Sequence, residues 1–183
     1  MLIDGDKDID ISVFKYNKKN IMGIIEMLMG INYRVRSTAY NGFVFKYKFS
    51  RKSTERIIDF NIFRISKNND YFYCPQPVKK HDIYIVERLK QVLRILIALY
   101  VDARSINVDY SNSFLKYFYD CSTWLIPIKY FNHLSKLNGM LSCPYDLDEY
   151  LSFRYGNWKE KINNWNFKIH DGGFIDESPM KYI

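Results

Sequence analysis

Asp6, Asp8 and Asp10 stand at every second position near the start of the chain, interleaved with Lys7, Ile9 and Ile11. In an extended strand, residues i and i+2 project from the same face about 7 Å apart. The three acids therefore share one face while the isoleucines fill a core. Carboxylates this close repel one another, and a hard divalent cation held by oxygen ligands relieves that repulsion. Mg²⁺ keeps several waters and takes further ligands from substrate phosphates, so two or three carboxylates suffice. Such a site serves attack on phosphorus, where the metal neutralises phosphate oxygens and orients the nucleophile. A calcium loop of the EF-hand type is excluded. Counting from Asp4, its sixth and twelfth positions are Ile9 and Lys15; counting from Asp6, they are Ile11 and Asn17.

Asp59 is the second candidate. It lies within Ile57-Ile58-Asp59-Phe60-Asn61-Ile62, where an unpaired carboxylate is costly to bury. Two readings follow: an ion pair with Arg56 or Arg64, or a role beside the first strand. The second role is a further metal ligand or a general base that deprotonates an acceptor hydroxyl.

The elements that must position these acids follow from periodicity. Alternation over residues 8–13 reads as a half-buried strand. Ile21, Ile24, Ile25 and Leu28 have helical spacing, and Gly30 is the expected stop. Strands are expected around residues 33–37 and 43–49, joined at Asn41-Gly42, the strongest short hairpin signal. A third is expected over 56–65. Residues 83–101 have helical period, with Ile85, Leu89, Val92, Leu93 and Leu96 as the expected buried face. A shorter helix is expected over 111–119, and 124–141 has no clear period. Asp146 is a natural N-cap for a helix to Arg154 that buries Leu147, Tyr150 and Leu151, with Gly156 ending it. The fold class expected is α+β. One domain is read over 1–183, with a small mixed sheet in 1–65 and a mainly helical 83–183.

The chain has 183 residues, 48% of them hydrophobic and 17% aromatic, enough for one domain with a real core. Its formal net charge of +7 favours a phosphorylated or polyanionic partner. The cations are scattered as separate pairs, which argues against nucleic acid. Three widely spaced cysteines without C-x-x-C, and three histidines without ligand spacing, argue against a disulfide framework and a structural zinc site. Acidic residues from Asp4 onward leave no secretory leader to be read, and the apolar stretch 92–101 is interrupted by Arg94. A cytoplasmic protein without an integral membrane segment is expected.

Three motifs carry a family resemblance. Ile3-Asp4-Gly5-Asp6-Lys7-Asp8-Ile9-Asp10-Ile11 resembles the "IPWDDDIDI" signature of the LicD/fukutin family, with Lys7 at its second acid and Gly5 at its Trp. Ile58-Asp59-Phe60 resembles that family's later hydrophobic-Asp-hydrophobic strand. Tyr150 to Trp158 resembles its closing "YL…YG..W" motif, with Lys159 where Pro is usual, and Trp165-Asn166-Phe167-Lys168 resembles the fukutin branch.

The resemblance implies a nucleotidyltransferase-like fold and Mg²⁺- or Mn²⁺-dependent transfer of a phosphorylated alcohol, phosphocholine or ribitol phosphate. The implied donor is CDP-linked, and the implied acceptor is a glycan hydroxyl. Carried over, Asp8 and Asp10 are core metal ligands, Asp6 assists, and Asp59 is the third acid. The family's upstream Gly-rich segment, which grips donor phosphate, has no counterpart here. Two alternatives stay open: a D-x-D nucleotide-sugar glycosyltransferase, and a catalytically degenerate homologue that binds a glycan or a partner chain. Further substrate-binding candidates are Arg34 and Arg36 for donor phosphates, Trp158 and Trp165 for stacking on a sugar or cytosine ring, and His170, whose Asp171-Gly172-Gly173 sequel suggests a closing loop.

Overall fold

The computed structural model describes residues 8–14, 18–51, 54–80, 84–104, 108–137, 141–160 and 166–183. In chain order these form β1 (Asp8–Val13), α1 (Lys18–Gly30), β2 (Arg34–Tyr40), β3 (Phe43–Arg51), β4 (Thr54–Ile62), β5 (Arg64–Ile65) and β6 (Tyr71–Lys79). There follow α2 (Tyr84–Arg104), β7 (Val108–Asp109), α3 (Ser113–Lys116), β8 (Tyr119–Pro127), β9 (Leu134–Leu137), β10 (Leu141–Pro144), α4 (Leu147–Tyr155), α5 (Phe167–His170) and β11 (Phe174–Ile175). The α+β class is as expected. The chain divides into two compact units, Met1–Phe63 with Pro77–Asp120, and Arg64–Gln76 with Cys121–Ile183.

The first unit is built on a five-stranded sheet of order β1-β4-β3-β2-β7. β1 runs parallel to β4, β3 is antiparallel to both β4 and β2, and β7 runs parallel to β2. Period-two alternation sorts this sheet into an apolar and a polar face. On the apolar face, Ile11, Val13, Val35, Tyr47, Phe49, Ile58 and Phe60 pack with Ile21, Ile24, Ile25 and Leu28 of α1. Phe49 and Phe60 meet edge to face at 5.2 Å. The buried ones, Ile21, Ile25, Leu28, Phe49 and Phe60, each contribute about 1.5–3 kcal/mol by leaving water.

Helix α1 ends at Gly30 as expected, and the left-handed closing residue is Asn32. Asn32 takes φ 67°, its amide reaches Met29 O at 3.0 Å, and the Tyr33 amide reaches Leu28 O at 3.0 Å. That pair of bonds is a Schellman closure with asparagine in the left-handed position. The Asn41-Gly42 hairpin is as expected, with φ 50° and 74°. Its tip is tied down by Asp109, whose carboxylate accepts from the Gly42 amide at 2.7 Å and from the Ser111 amide at 2.8 Å.

Helix α2 reverses its expected orientation. Leu89, Val92, Leu93 and Leu96 are exposed, whereas Lys90 and Arg94 are buried; the Ile85 side chain lies outside the described residues. The reason is carbonyl satisfaction. Lys90 donates to Tyr117 O at 3.1 Å, and Arg94 donates to Lys80 O at 2.7 Å and Phe118 O at 3.3 Å. A 2.6 Å ion pair with Glu87 balances the Arg94 charge. Buried backbone acceptors need donors, and these two long side chains supply them.

The second unit is framed by a four-stranded sheet of order β11-β8-β6-β5, with β9 and β10 forming a separate hairpin. Residues 83–183, read from sequence as mainly helical, thus hold, among the described residues, five strands beside α2, three shorter α-helices and two 3-10 turns. The helix expected over 111–119 is one turn long, because Tyr119 already opens β8. Asp146 caps α4 as expected, accepting from the Glu149 amide at 2.9 Å, and Gly156 closes it at φ 61°. The residue α4 buries is Arg154; Leu147, Tyr150 and Leu151 are exposed or half-buried.

Candidate functional site

The polar face of the five-stranded sheet gathers the chemistry. β1 and β4 pair in parallel with Asp10 directly opposite Asp59. Strand partners in register point to the same side and lie about 4.8 Å apart. The register continues from Asp59 to Lys48 on β3 and from Lys48 to Arg36 on β2. A second row runs Ser12, Asn61, Lys46, Thr38 and Val108. Two carboxylates therefore stand beside a ladder of cations, with Arg36 about 10 Å from Asp59 by strand spacing.

The two acids differ in surroundings. Asp10 is exposed and accepts from Asn61 Nδ2 at 3.0 Å. Asp59 is buried at 5% exposure, and its Oδ2 pairs with Lys46 Nζ at 2.5 Å. The counter-ion thus comes sideways from the neighbouring strand, because a strand's side chains reach partners across the ladder more readily than along their own backbone. Among the described residues, Asp59 Oδ1 is buried without a hydrogen-bond partner, as is Asn61 Oδ1. An orphaned buried carboxylate oxygen costs free energy until a donor or cation reaches it.

These residues fit a hard divalent cation. Asp10 and Asp59 would supply its oxygen ligands from adjacent strands, the orphaned Asp59 oxygen among them. Among the described residues, no group of three or more His, Cys, Asp or Glu is gathered into a cage. A two-carboxylate site is what Mg²⁺ ordinarily uses when phosphates complete its shell. Asp8 enters the same strand in register with Ile57, but its side chain lies outside the described residues, as does all of Asp6.

Beside the cation ladder is a cleft of about 170 Å³ lined by Arg36, Thr38, Arg94, Tyr110, Tyr119 and apolar neighbours. Arg36 belongs to this cleft, whereas Arg34 is exposed one step further along β2, in register with Ser50. Arg94 also lies 5.8 Å from the Tyr119 ring centre. The cleft places the Arg36 and Arg94 side chains beside aromatic surface.

The remaining candidates fall in the second unit. Trp158 is partly exposed in the turn after α4, with Lys159 Nζ 5.3 Å from its ring centre. Trp165 lies outside the described residues. His170 ends α5, and its Nδ1 accepts from the Asn166 amide at 2.9 Å, which uses one ring nitrogen as a cap.

The His170–Gly173 stretch is anchored rather than built as a free closing loop. Asp171 and Arg154 form a buried two-pronged ion pair, with Nε to Oδ1 at 2.7 Å and Nη2 to Oδ2 at 2.5 Å. The Gly172 amide bonds Arg154 O at 2.9 Å, and the Gly173 carbonyl accepts from the Leu125 amide at 2.7 Å. Burial disfavours the Arg154 charge, but the hydrogen bonds it makes to Asp171 outweigh that and hold it protonated more firmly than a free arginine.

Sequence reasoning missed Lys46, Lys48, Asn61 and Arg94. The first three carried a signal, since Lys46-x-Lys48 and Asp59-x-Asn61 repeat the two-residue period of Asp8-x-Asp10-x-Ser12. Which strand met which was not visible without the register. No protein-family model matches this chain, and no curated protein or solved structure matches it significantly.

Proposed function

We propose that the chain is a Mg²⁺- or Mn²⁺-dependent transferase with a nucleotidyltransferase-like fold, which moves a phosphorylated alcohol from a CDP-linked donor to a glycan hydroxyl. The observation that carries the reading is Asp10 facing Asp59 across parallel strands, with a buried unpartnered oxygen on Asp59 and cations in the next two strands. The resemblance of residues 3–11, 58–60 and 150–158 to the LicD/fukutin family supplies the substrate class. Among the described residues no helix is long and apolar enough to cross a membrane, and the proposed setting is the cytoplasm.

In this reading Asp10 and Asp59 hold the cation, with Asp8 as a further ligand. When bound, the cation neutralises phosphate oxygens and makes the phosphorus more open to attack. Lys48 and Arg36 extend positive charge about 10 Å from the acids, the span needed to steady a diphosphate and the group attached to it. Lys46 pairs with Asp59 and holds it in place. The role open to the Asp59 carboxylate in place of ligation is that of the base that accepts the proton of an acceptor hydroxyl.

Incubation with CDP-ribitol, CDP-choline and nucleotide sugars, each with Mn²⁺ and a glycan acceptor, tests the proposal. Release of CMP with a new phosphodiester on the acceptor is expected. Release of a nucleoside diphosphate with a glycoside product would mean a D-x-D glycosyltransferase instead. No turnover with any donor, together with intact glycan binding, would leave a binding homologue.

A further inference from the structure

Helix α2 buries charged residues on one face and exposes apolar residues on the other. Lys90 and Arg94 donate to the carbonyls of Lys80, Tyr117 and Phe118, and Glu87, seven residues before Arg94, pairs with it. On the opposite side Leu89, Val92, Leu96 and Leu99 recur at intervals of three, four and three, with exposures of 64, 57, 56 and 61%. Leu93 widens the stripe at 43%. In heptad terms the first four occupy alternating a and d positions, while the anchoring charges occupy b and f. Sequences that only need to cover a core do not place a, d and neighbouring positions in water while burying arginine and lysine.

We infer that this stripe is a self-association surface, and that its occupant is α2 of a second copy of the chain. A stripe of period 3.5 is complementary to its own image, because each a or d side chain fills a gap between four others on a like helix. A two-fold pair needs only one such surface per chain. The 21 residues of α2 extend about 30 Å, enough for three heptads. Side chains of this size, about half exposed, leave on the order of 500 Å² of apolar surface per copy. Two copies thus cover on the order of 1,000 Å², the lower bound for a specific protein–protein interface. The expected association is therefore real but reversible.

The test is the mass of the full chain in solution, by light scattering and sedimentation, from low to high micromolar concentration. Twice the chain mass at the upper end, with a thermal midpoint that rises with concentration, is expected. Leu89→Lys with Leu96→Lys should weaken the dimer by about a hundredfold. Its far-UV circular dichroism and low-concentration midpoint should stay unchanged, since both side chains are exposed. A wild-type chain of single mass throughout overturns the inference, as does a double variant that stays dimeric. A double variant that no longer folds contradicts the exposure on which the inference stands. Flotation of a monomeric chain with phosphatidylglycerol vesicles would assign the stripe to lipid instead.

Discussion

Replacing Lys46 by methionine removes a charge while keeping a side chain of similar length, and it isolates the role of Asp59. The Asp59 side chain is 7% exposed and that of Lys46 is 24% exposed. Removing one partner of a fully buried pair costs about 3–5 kcal/mol, because the other charge is left uncompensated. Water reaches part of Lys46 and softens the loss, so about 2–4 kcal/mol is expected here. For a chain of this size that corresponds to about 5–12 °C in thermal midpoint. Asp59→Asn on its own should cost less, and in the double variant the two effects should fail to add by at least about 1 kcal/mol. Mn²⁺ sharpens the experiment. A cation at Asp59 supplies the missing counter-charge, so Lys46→Met should regain about 2–3 kcal/mol at metal concentrations about a hundredfold above Kd. Urea unfolding with and without Mn²⁺ measures both quantities. A loss below about 0.5 kcal/mol, or additive single variants, would falsify the view that Lys46 neutralises a buried Asp59.

Other consequences follow from named contacts. Partial burial raises the Asp109 pKa, but hydrogen bonds from the Ser111 hydroxyl and amide and from the Gly42 and Asn41 amides more than offset this and hold the carboxyl below its usual range. Its stabilising effect is therefore present above the ordinary carboxylate pKa of about 4 and lost as pH falls through the lower folded value. Acid unfolding of Asp109→Asn should accordingly be less steep over that window, and identical curves would count against the assignment. Asp171→Ala leaves the Arg154 guanidinium buried and unpaired and should cost about 3–5 kcal/mol by chemical denaturation. A Cβ on Gly172 would stand 2.1 Å from Phe153 O. Gly172→Ala should thus destabilise by about 1–3 kcal/mol, with Gly23→Ala, whose surroundings are open, as the neutral or stabilising control.

How much the sequence revealed depended on whether a feature was local. The isoleucines of β1, the 21-24-25-28 spacing of α1 and the Asn41-Gly42 turn each state their structure within a few residues, and each formed as read. The candidate acids were visible for the same reason, since alternation alone puts Asp8 and Asp10 on one face. The pairing of β1 with β4 was not local. Asp10 and Asp59 are separated by a helix and a hairpin, and only the strand register makes them neighbours. Lys46 as counter-ion followed from that register too.

Helix α2 shows a different limit. Its apolar period marked a face that needs cover, and the sequence could not say whether the cover is the chain's own core. Lys90 and Arg94 took the inner side because carbonyls at Lys80, Tyr117 and Phe118 required donors. β8 was missed because Ser122 and Thr123 are buried polar residues in its middle, bonded to Asp176 and Glu177 O, and they blur the alternation that signals a strand.

The central claim is that the acids of β1 and β4 form one cation site. Calorimetric titration of Mn²⁺ into the wild type and into Asp10→Asn/Asp59→Asn, both checked for folding by circular dichroism, addresses it directly. The account predicts one site in the wild type and an affinity about a hundredfold weaker in the double variant, since two lost ligand charges at about 1.4 kcal/mol each remove about 2.8 kcal/mol. Equal binding by the two proteins, or none by a folded wild type, would contradict it.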